Sequence, residues 1–222
     1  VLNILGLEIH ITGGIYLMIA LISAMICAII LGMGMPTVPA YVNVALLLGP
    51  LLANLGVSFF TAHMFVFYFA VASAITPPVA IAAFAAASIS KTEPMRTGFA
   101  AVRVGIVMFT IPFVFAWYPE LLLIEEAITV VDNNGQRVLI EGYGPEIDFI
   151  ALSALLLRLS LALYLMASAL ARFDKSPIGK TEMWVRLFLV ILVLWKTAIL
   201  MWIGIILAIT VLLFHRIMKP RN

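Results

Sequence analysis

Apolar runs long enough to cross a lipid bilayer constrain this chain more than any other feature. A bilayer core of about 30 Å needs ~20 consecutive apolar residues in a helix. Residues 15–31, 38–55, 59–74, 98–117, 149–170 and 185–214 are six such runs or near-runs, and 79–89 makes a short seventh. Apolar residues make up 64% of the 222, charged residues only 11%, and the mean hydropathy is +1.18. A soluble domain carries roughly 25% charged residues. The sequence therefore predicts an all-α polytopic membrane protein.

The same arithmetic excludes other classes. Thirteen Lys and Arg against eleven Asp and Glu leave +2, too little for a nucleic-acid partner. The single cysteine, Cys27, lies inside an apolar run, so no disulfide is expected. His10, His63 and His215 are far apart, which argues against a zinc site. No HExxH, GxSG or GxGD pattern occurs, and no span carries paired acids, so the chain does not read as an intramembrane enzyme. It begins at Val1 with no charged n-region, as expected of a processed or partial chain.

Basic residues near span ends set orientation. Lys91 and Arg96 flank one connection, and Arg172, Lys175, Lys180 and Arg186 surround another. Residues 119–148 hold Glu120, Glu125, Glu126, Asp132, Glu141, Glu146 and Asp148 against Arg137 alone. The reading places 91–96 and 172–186 in the cytoplasm and 119–148 outside. Within that acidic segment, apolar runs flank Asn134-Gly135, the signature of a β-hairpin.

Two helix breaks are the most informative local features. Gly32-Met33-Gly34-Met35-Pro36-Thr37 separates the first two runs with no charge. A turn emerging in cytoplasmic water usually carries Lys or Arg, so this one reads as the tip of a re-entrant helical hairpin over 15–56. Thr76-Pro77-Pro78 interrupts the helix over 59–90. Its two prolines leave carbonyls of the preceding turn without donors. Broken helices offer carbonyl oxygens, hard ligands for Na⁺, while half-helix N-termini favour anions. Thr37, Ser73 and Thr76 add hydroxyl oxygens. Two facing breaks can thus hold a cation and a carboxylate without a formal charge. One break alone reads as well as a packing kink, because Gly and Pro are common in membrane helices.

At these positions the chain resembles a known family. The segments Gly32-Met-Gly-Met-Pro-Thr-Val-Pro-Ala-Tyr41, His63-Met-Phe-Val-Phe-Tyr-Phe-Ala70, Ser73-Ala-Ile-Thr-Pro-Pro-Val-Ala80 and Pro94-Met-Arg-Thr-Gly-Phe99 resemble the fused permeases of tripartite ATP-independent periplasmic (TRAP) transporters. The wording is most similar to the type that works with TAXI-class binding proteins. The resemblance runs from about Ile11 to Leu123.

It implies a multi-pass inner-membrane protein of bacteria and a Na⁺-coupled secondary transporter. Its substrate would be an organic acid delivered by a periplasmic binding protein. It also implies an elevator built from inverted repeats, each a hairpin plus a broken helix. Gly34, Thr37, Ser73, Thr76 and Pro77 would line the sodium site, and Thr37, Thr76 and Pro78 the substrate site. No cofactor is implied beyond Na⁺ as coupling ion. Only one repeat fits, over residues 1–123, with hairpin 15–56, broken helix 59–90 and span 97–118. Residues 124–148 would be the external loop and 149–222 a C-terminal membrane extension. The first repeat and the small-subunit region are expected as partners. The alternative is an accessory membrane subunit with no ion or substrate site of its own.

Three further residues stand out. His63 in its aromatic span reads as a packed, hydrogen-bonded histidine. Arg103 lies about two turns into its span and can snorkel to the cytoplasmic face. Arg158 sits near the middle of 149–170, where a charge is costly, and needs a partner. Basic residues at both ends of the last run call for a hairpin turning at Trp195-Lys196-Thr197, with a single span as the other reading.

Overall fold

A computed structural model describes residues 2–4, 7–9, 13–124, 128–131, 137–140 and 148–218. The chain divides into two compact units, Val1–Gly144 and Pro145–Asn222.

In the first unit a short antiparallel ribbon, β1 (Leu2–Ile4) with β2 (Leu7–Ile9), precedes the helices. Nothing in the apolar-run reading anticipated it. Then α1 (Gly13–Gly32) and α2 (Thr37–Asn54) form a helical hairpin with a four-residue turn. In that turn Gly34 has φ +79°, a conformation that a side chain would strain. Helix α3 (Phe59–Ala72) packs against both arms of the hairpin. Its start is fixed by Ser58, whose Oγ accepts from the Thr61 amide at 3.2 Å and donates to Thr61 Oγ1 at 2.7 Å.

A 3-10 turn (Ser73–Ile75) ends α3, and α4 (Ile81–Ser90) resumes after the proline pair. Leu21, Ala28, Val44, Leu52, Phe65 and Phe69 form the buried core of this unit. Phe65, Phe69, Phe109 and Phe113 add edge-to-face contacts at 4.9–5.9 Å, each worth about 0.5–1.5 kcal/mol beyond simple burial.

The span expected over 97–118 is interrupted. It consists of α5 (Pro94–Gly105) and α6 (Thr110–Trp117), joined by a tightened turn in which amides 108–111 each donate to the carbonyl three residues back. Pro112 explains it: its ring cannot donate to the Met108 carbonyl and would clash with it. That carbonyl instead accepts from Ile111 N at 3.1 Å and from the Tyr68 hydroxyl at 3.0 Å. Downstream, β3 (Ile128–Val131) pairs antiparallel with β4 (Arg137–Ile140). The Asn134-Gly135 turn lies outside the described residues.

The second unit is α7 (Phe149–Ala171), α8 (Lys180–Val193) and α9 (Ala198–Met218). Asp148 caps α7 by accepting from the amides of Ile150 and Ala151. The chain reverses at residues 194–197, and Gly204 lets α9 approach α8. A Cβ there would fall 2.8 Å from the Leu192 carbonyl carbon and the Val193 nitrogen.

Ala198 lies six residues before Gly204, so α9 projects about 9 Å past that crossing. The pair thus climbs as α8 plus its linker and returns as α9, using residues 180–218 rather than 185–214 alone. Arg158 donates to the Val193 carbonyl at 3.1 Å and to that of Trp195 at 3.4 Å. The mid-span charge therefore satisfies backbone carbonyls at the end of α8, where the helix leaves them without an intrahelical donor.

Arg186, one of the basic residues around the connection between α7 and α8, is fully buried. Thr37–Asn54, Pro94–Trp117, Phe149–Ala171 and Ala198–Ile217 are each long and apolar enough to cross a membrane.

Candidate functional site

The hairpin tip and the helix break meet. Gly32, the last residue of α1, is buried against the start of the break. A Cβ there would lie 2.8 Å from Ser73 Oγ and 3.0 Å from the Ala70 carbonyl oxygen. Two residues on, a Cβ at Gly34 would stand 3.7 Å from Val79 Cγ1, on the far side of the prolines. The end of α1 therefore packs on the near flank of the Thr76–Pro78 interruption at Gly32, and Gly34 faces Val79 on the far flank.

Local chemistry explains the interruption. An unbroken α-helix would offer the carbonyls of Ser73 and Ala74 to residues 77 and 78, and both are prolines without an N–H. The Ser73 carbonyl accepts from Thr76 N at 3.2 Å instead. Thr76 is extended (φ −97°, ψ 121°), the Pro77–Pro78 bond is cis, and Ala80 takes a left-handed conformation (φ 35°) before α4 begins. Ala80 N donates to the Thr76 carbonyl at 3.2 Å and closes the loop.

The hydroxyls are oriented by backbone carbonyls. Ser73 Oγ donates to Ala70 O at 2.6 Å, and Thr76 Oγ1 donates to Ala72 O at 2.9 Å. With their protons so committed, both oxygens keep lone pairs for an acceptor role. Oxygen ligands of this kind suit a hard monovalent cation. Among the described residues no group of three His, Cys, Asp or Glu side chains converges.

The sequence candidates are not equally placed. Ser73 is buried, Thr76 and Pro77 are half-buried, and Pro78 and Gly34 are exposed. Thr37 is the first residue of α2 and its side chain is exposed. The close contact between tip and break runs through Gly32.

Sequence reading missed Gly32 as a contact residue and missed the back wall of the break. A Cβ at Gly98 would lie 3.0 Å from Pro77 Cγ, and one at Gly105 would lie 3.1 Å from Ile75 Cδ1. These glycines are seven residues apart, two turns along one face of α5, a spacing that was readable.

His63 belongs to helix packing. Its Nδ1 lies 2.9 Å from the Tyr41 hydroxyl, and its ring rests on Phe59 at 4.1 Å and beside Gly49. The adjoining groove, about 370 Å³ and lined by Leu46, Pro50 and Phe59 among others, is apolar. Arg103 is exposed on α5.

A family model described as the tripartite ATP-independent periplasmic transporter, DctM component, matches residues 7–129. That match spans more than half of the chain and contains both breaks. The chain belongs to the DctM family. A DctM component is the large permease component of a TRAP secondary transporter and not an enzyme. It is a multi-pass inner-membrane protein that works with a periplasmic binding protein and a small membrane subunit. A search of curated proteins and a search of solved structures each find no match. Residues 130–222, including all of α7–α9, lie beyond the matched part of this DctM chain.

Proposed function

We propose that this chain contributes one repeat of a Na⁺-coupled permease for organic acids, of the type that works with TAXI-class binding proteins. In this reading the re-entrant hairpin α1–α2 and the broken helix α3–α4 enclose the ion and substrate. The remaining repeat and the small-subunit region complete the transporter.

The observation that carries the reading is the close packing of Gly32, at the end of α1, against Ser73, with Gly34 facing Val79. The hydroxyls of Ser73 and Thr76 stand at the break, and none of the candidate residues carries a formal charge, a chemistry that suits Na⁺ more than a multivalent metal. Helix α2 begins just after the tip and α4 just after the break, and helix N-termini favour a carboxylate. Ser73 and Thr76, with carbonyls near Pro77 and Gly34, hold the ion. Thr37, Thr76 and Pro78 face the carboxylate.

Sodium binding that favours the closed tip, and so substrate capture, couples the two in alternating access of an elevator kind. On the orientation set by basic residues, 91–96 and 172–186 face the cytoplasm and 119–148 the periplasm.

Uptake into proteoliposomes of the assembled permease, driven by a Na⁺ gradient, tests the assignment. Thr76→Ala and Thr37→Ala are expected to raise the sodium concentration for half-maximal uptake while membrane insertion is unchanged. Unaltered sodium activation in both variants overturns it.

A further inference from the structure

We propose that the end of the second unit where α7 gives way to α8 and where α9 finishes binds headgroups of anionic phospholipids in the adjacent leaflet. Its charge is segregated in a way that neither the family match nor the proposed transport cycle explains.

Both acidic side chains at this end are turned inward. Arg186, fully buried, donates to Glu182 Oε1 at 2.8 Å, to Ser168 Oγ at 2.6 Å and to Asp174 Oδ2 at 3.4 Å. His215, 2% exposed, lies between Glu182 Oε1, 2.9 Å from Nδ1, and Ser176 Oγ, 2.9 Å from Nε2. Tyr164 donates to Asp174 Oδ1 at 2.6 Å. The carboxylates of Asp174 and Glu182 are thus spent inside the unit.

What remains outside is basic: Arg172, Lys175 and Lys180 are exposed, as is Arg216, which donates to the Tyr164 hydroxyl at 3.3 Å. The loop holding the first two is braced by its own geometry. Ile178 N donates to the Arg172 carbonyl at 2.9 Å, Phe173 bridges to Pro177, and Ser176 is fixed by His215.

Phe173 and Trp184 are 57% and 67% exposed at the same end, the aromatic residues expected where hydrocarbon meets headgroups. The other basic connection is unlike this one. Between Lys91 and Arg96 the carboxylate of Glu93 is exposed, so charge there is mixed.

A uniformly positive rim at the membrane surface with aromatic neighbours fits the phosphodiester of an anionic lipid. Each Lys or Arg near such a surface strengthens binding about fivefold, and the gain fades within a Debye length.

The test is thermal unfolding of the intact chain in mixed micelles containing phosphatidylglycerol, phosphatidylcholine, or phosphatidylcholine plus soluble glycerol phosphate. Phosphatidylglycerol alone is expected to raise the transition temperature, and high salt to erase the rise. Lys175→Gln with Lys180→Gln removes two exposed charges without touching the buried network. Its half-saturating phosphatidylglycerol content should rise at least tenfold while unfolding in phosphatidylcholine stays unchanged. Should the pair unfold even in phosphatidylcholine, each single variant is expected to give about a fivefold rise. Equal effects of the two lipids, a rise that survives high salt, or unchanged affinity in the variants would overturn the proposal. So would reproduction of the rise by glycerol phosphate, which would mark a free-anion site.

Discussion

Gly32 and Ser73 stand so close that a methyl group on the glycine would meet the serine hydroxyl at 2.8 Å. They are 41 positions apart in sequence, one ending α1 and the other opening the turn that breaks α3. The absence of a side chain at one is therefore a condition for the placement of the other.

Gly32→Ala should cost about 1–3 kcal/mol, because the added carbon meets both a hydroxyl and the Ala70 carbonyl. Ser73→Gly removes the hydroxyl half of that conflict, so the double variant should recover part of the loss. A double-mutant cycle on thermal unfolding checks this. Strict additivity of the two changes would contradict the contact.

Arg158 supports the end of α8 through the carbonyls of Val193 and Trp195. Arg158→Met keeps the side chain's apolar bulk but strips these carbonyls of charged donors. Leaving a buried acceptor unsatisfied costs about 1–3 kcal/mol. The variant should therefore unfold earlier, and Arg158→Lys should fall between it and the parent. Parental stability in Arg158→Met would remove the structural role argued for this charge.

Asp174 gives the second unit an acid-dependent stability. Burial alone would raise its pKa, but the Tyr164 hydrogen bond and the Arg186 guanidinium outweigh burial and hold it below the ordinary aspartate value. A carboxyl with a depressed folded-state pKa stabilises fully above its unfolded value, near 4, and loses that contribution as pH falls through the folded value. Unfolding temperatures should thus decline below about pH 4, and Asp174→Asn should flatten that decline. A variant whose pH profile matches the parent's would contradict the coupling.

The main divisions of the fold were legible because membrane helices announce themselves by length, and their interruptions by Gly and Pro. Gly32–Thr37 and Thr76–Pro78 could be read directly, and Trp195-Lys196-Thr197 marked the reversal between α8 and α9. The tightened turn at 106–109 escaped because its signal is Pro112 alone in an apolar run, and its compensating donor, Tyr68, is distant in sequence.

The burial of Arg186 was hidden for a similar reason. A basic residue beside a span looks like a flank until Asp174, Glu182 and Ser168 converge on it. At the candidate site, residue chemistry pointed to Ser73 and Thr76. The seating of the hairpin on them depends on Gly32, whose lack of a side chain gives no chemical signal.

If tip and break together hold Na⁺, thermal unfolding of the protein in NaCl, KCl and choline chloride at equal ionic strength will separate the three salts. A ligand at a hundred times its Kd raises apparent stability by about 2.7 kcal/mol. Sodium alone should raise the transition temperature, and Thr76→Ala should abolish that rise. Identical unfolding in all three salts, or a sodium rise that Thr76→Ala leaves intact, would contradict it.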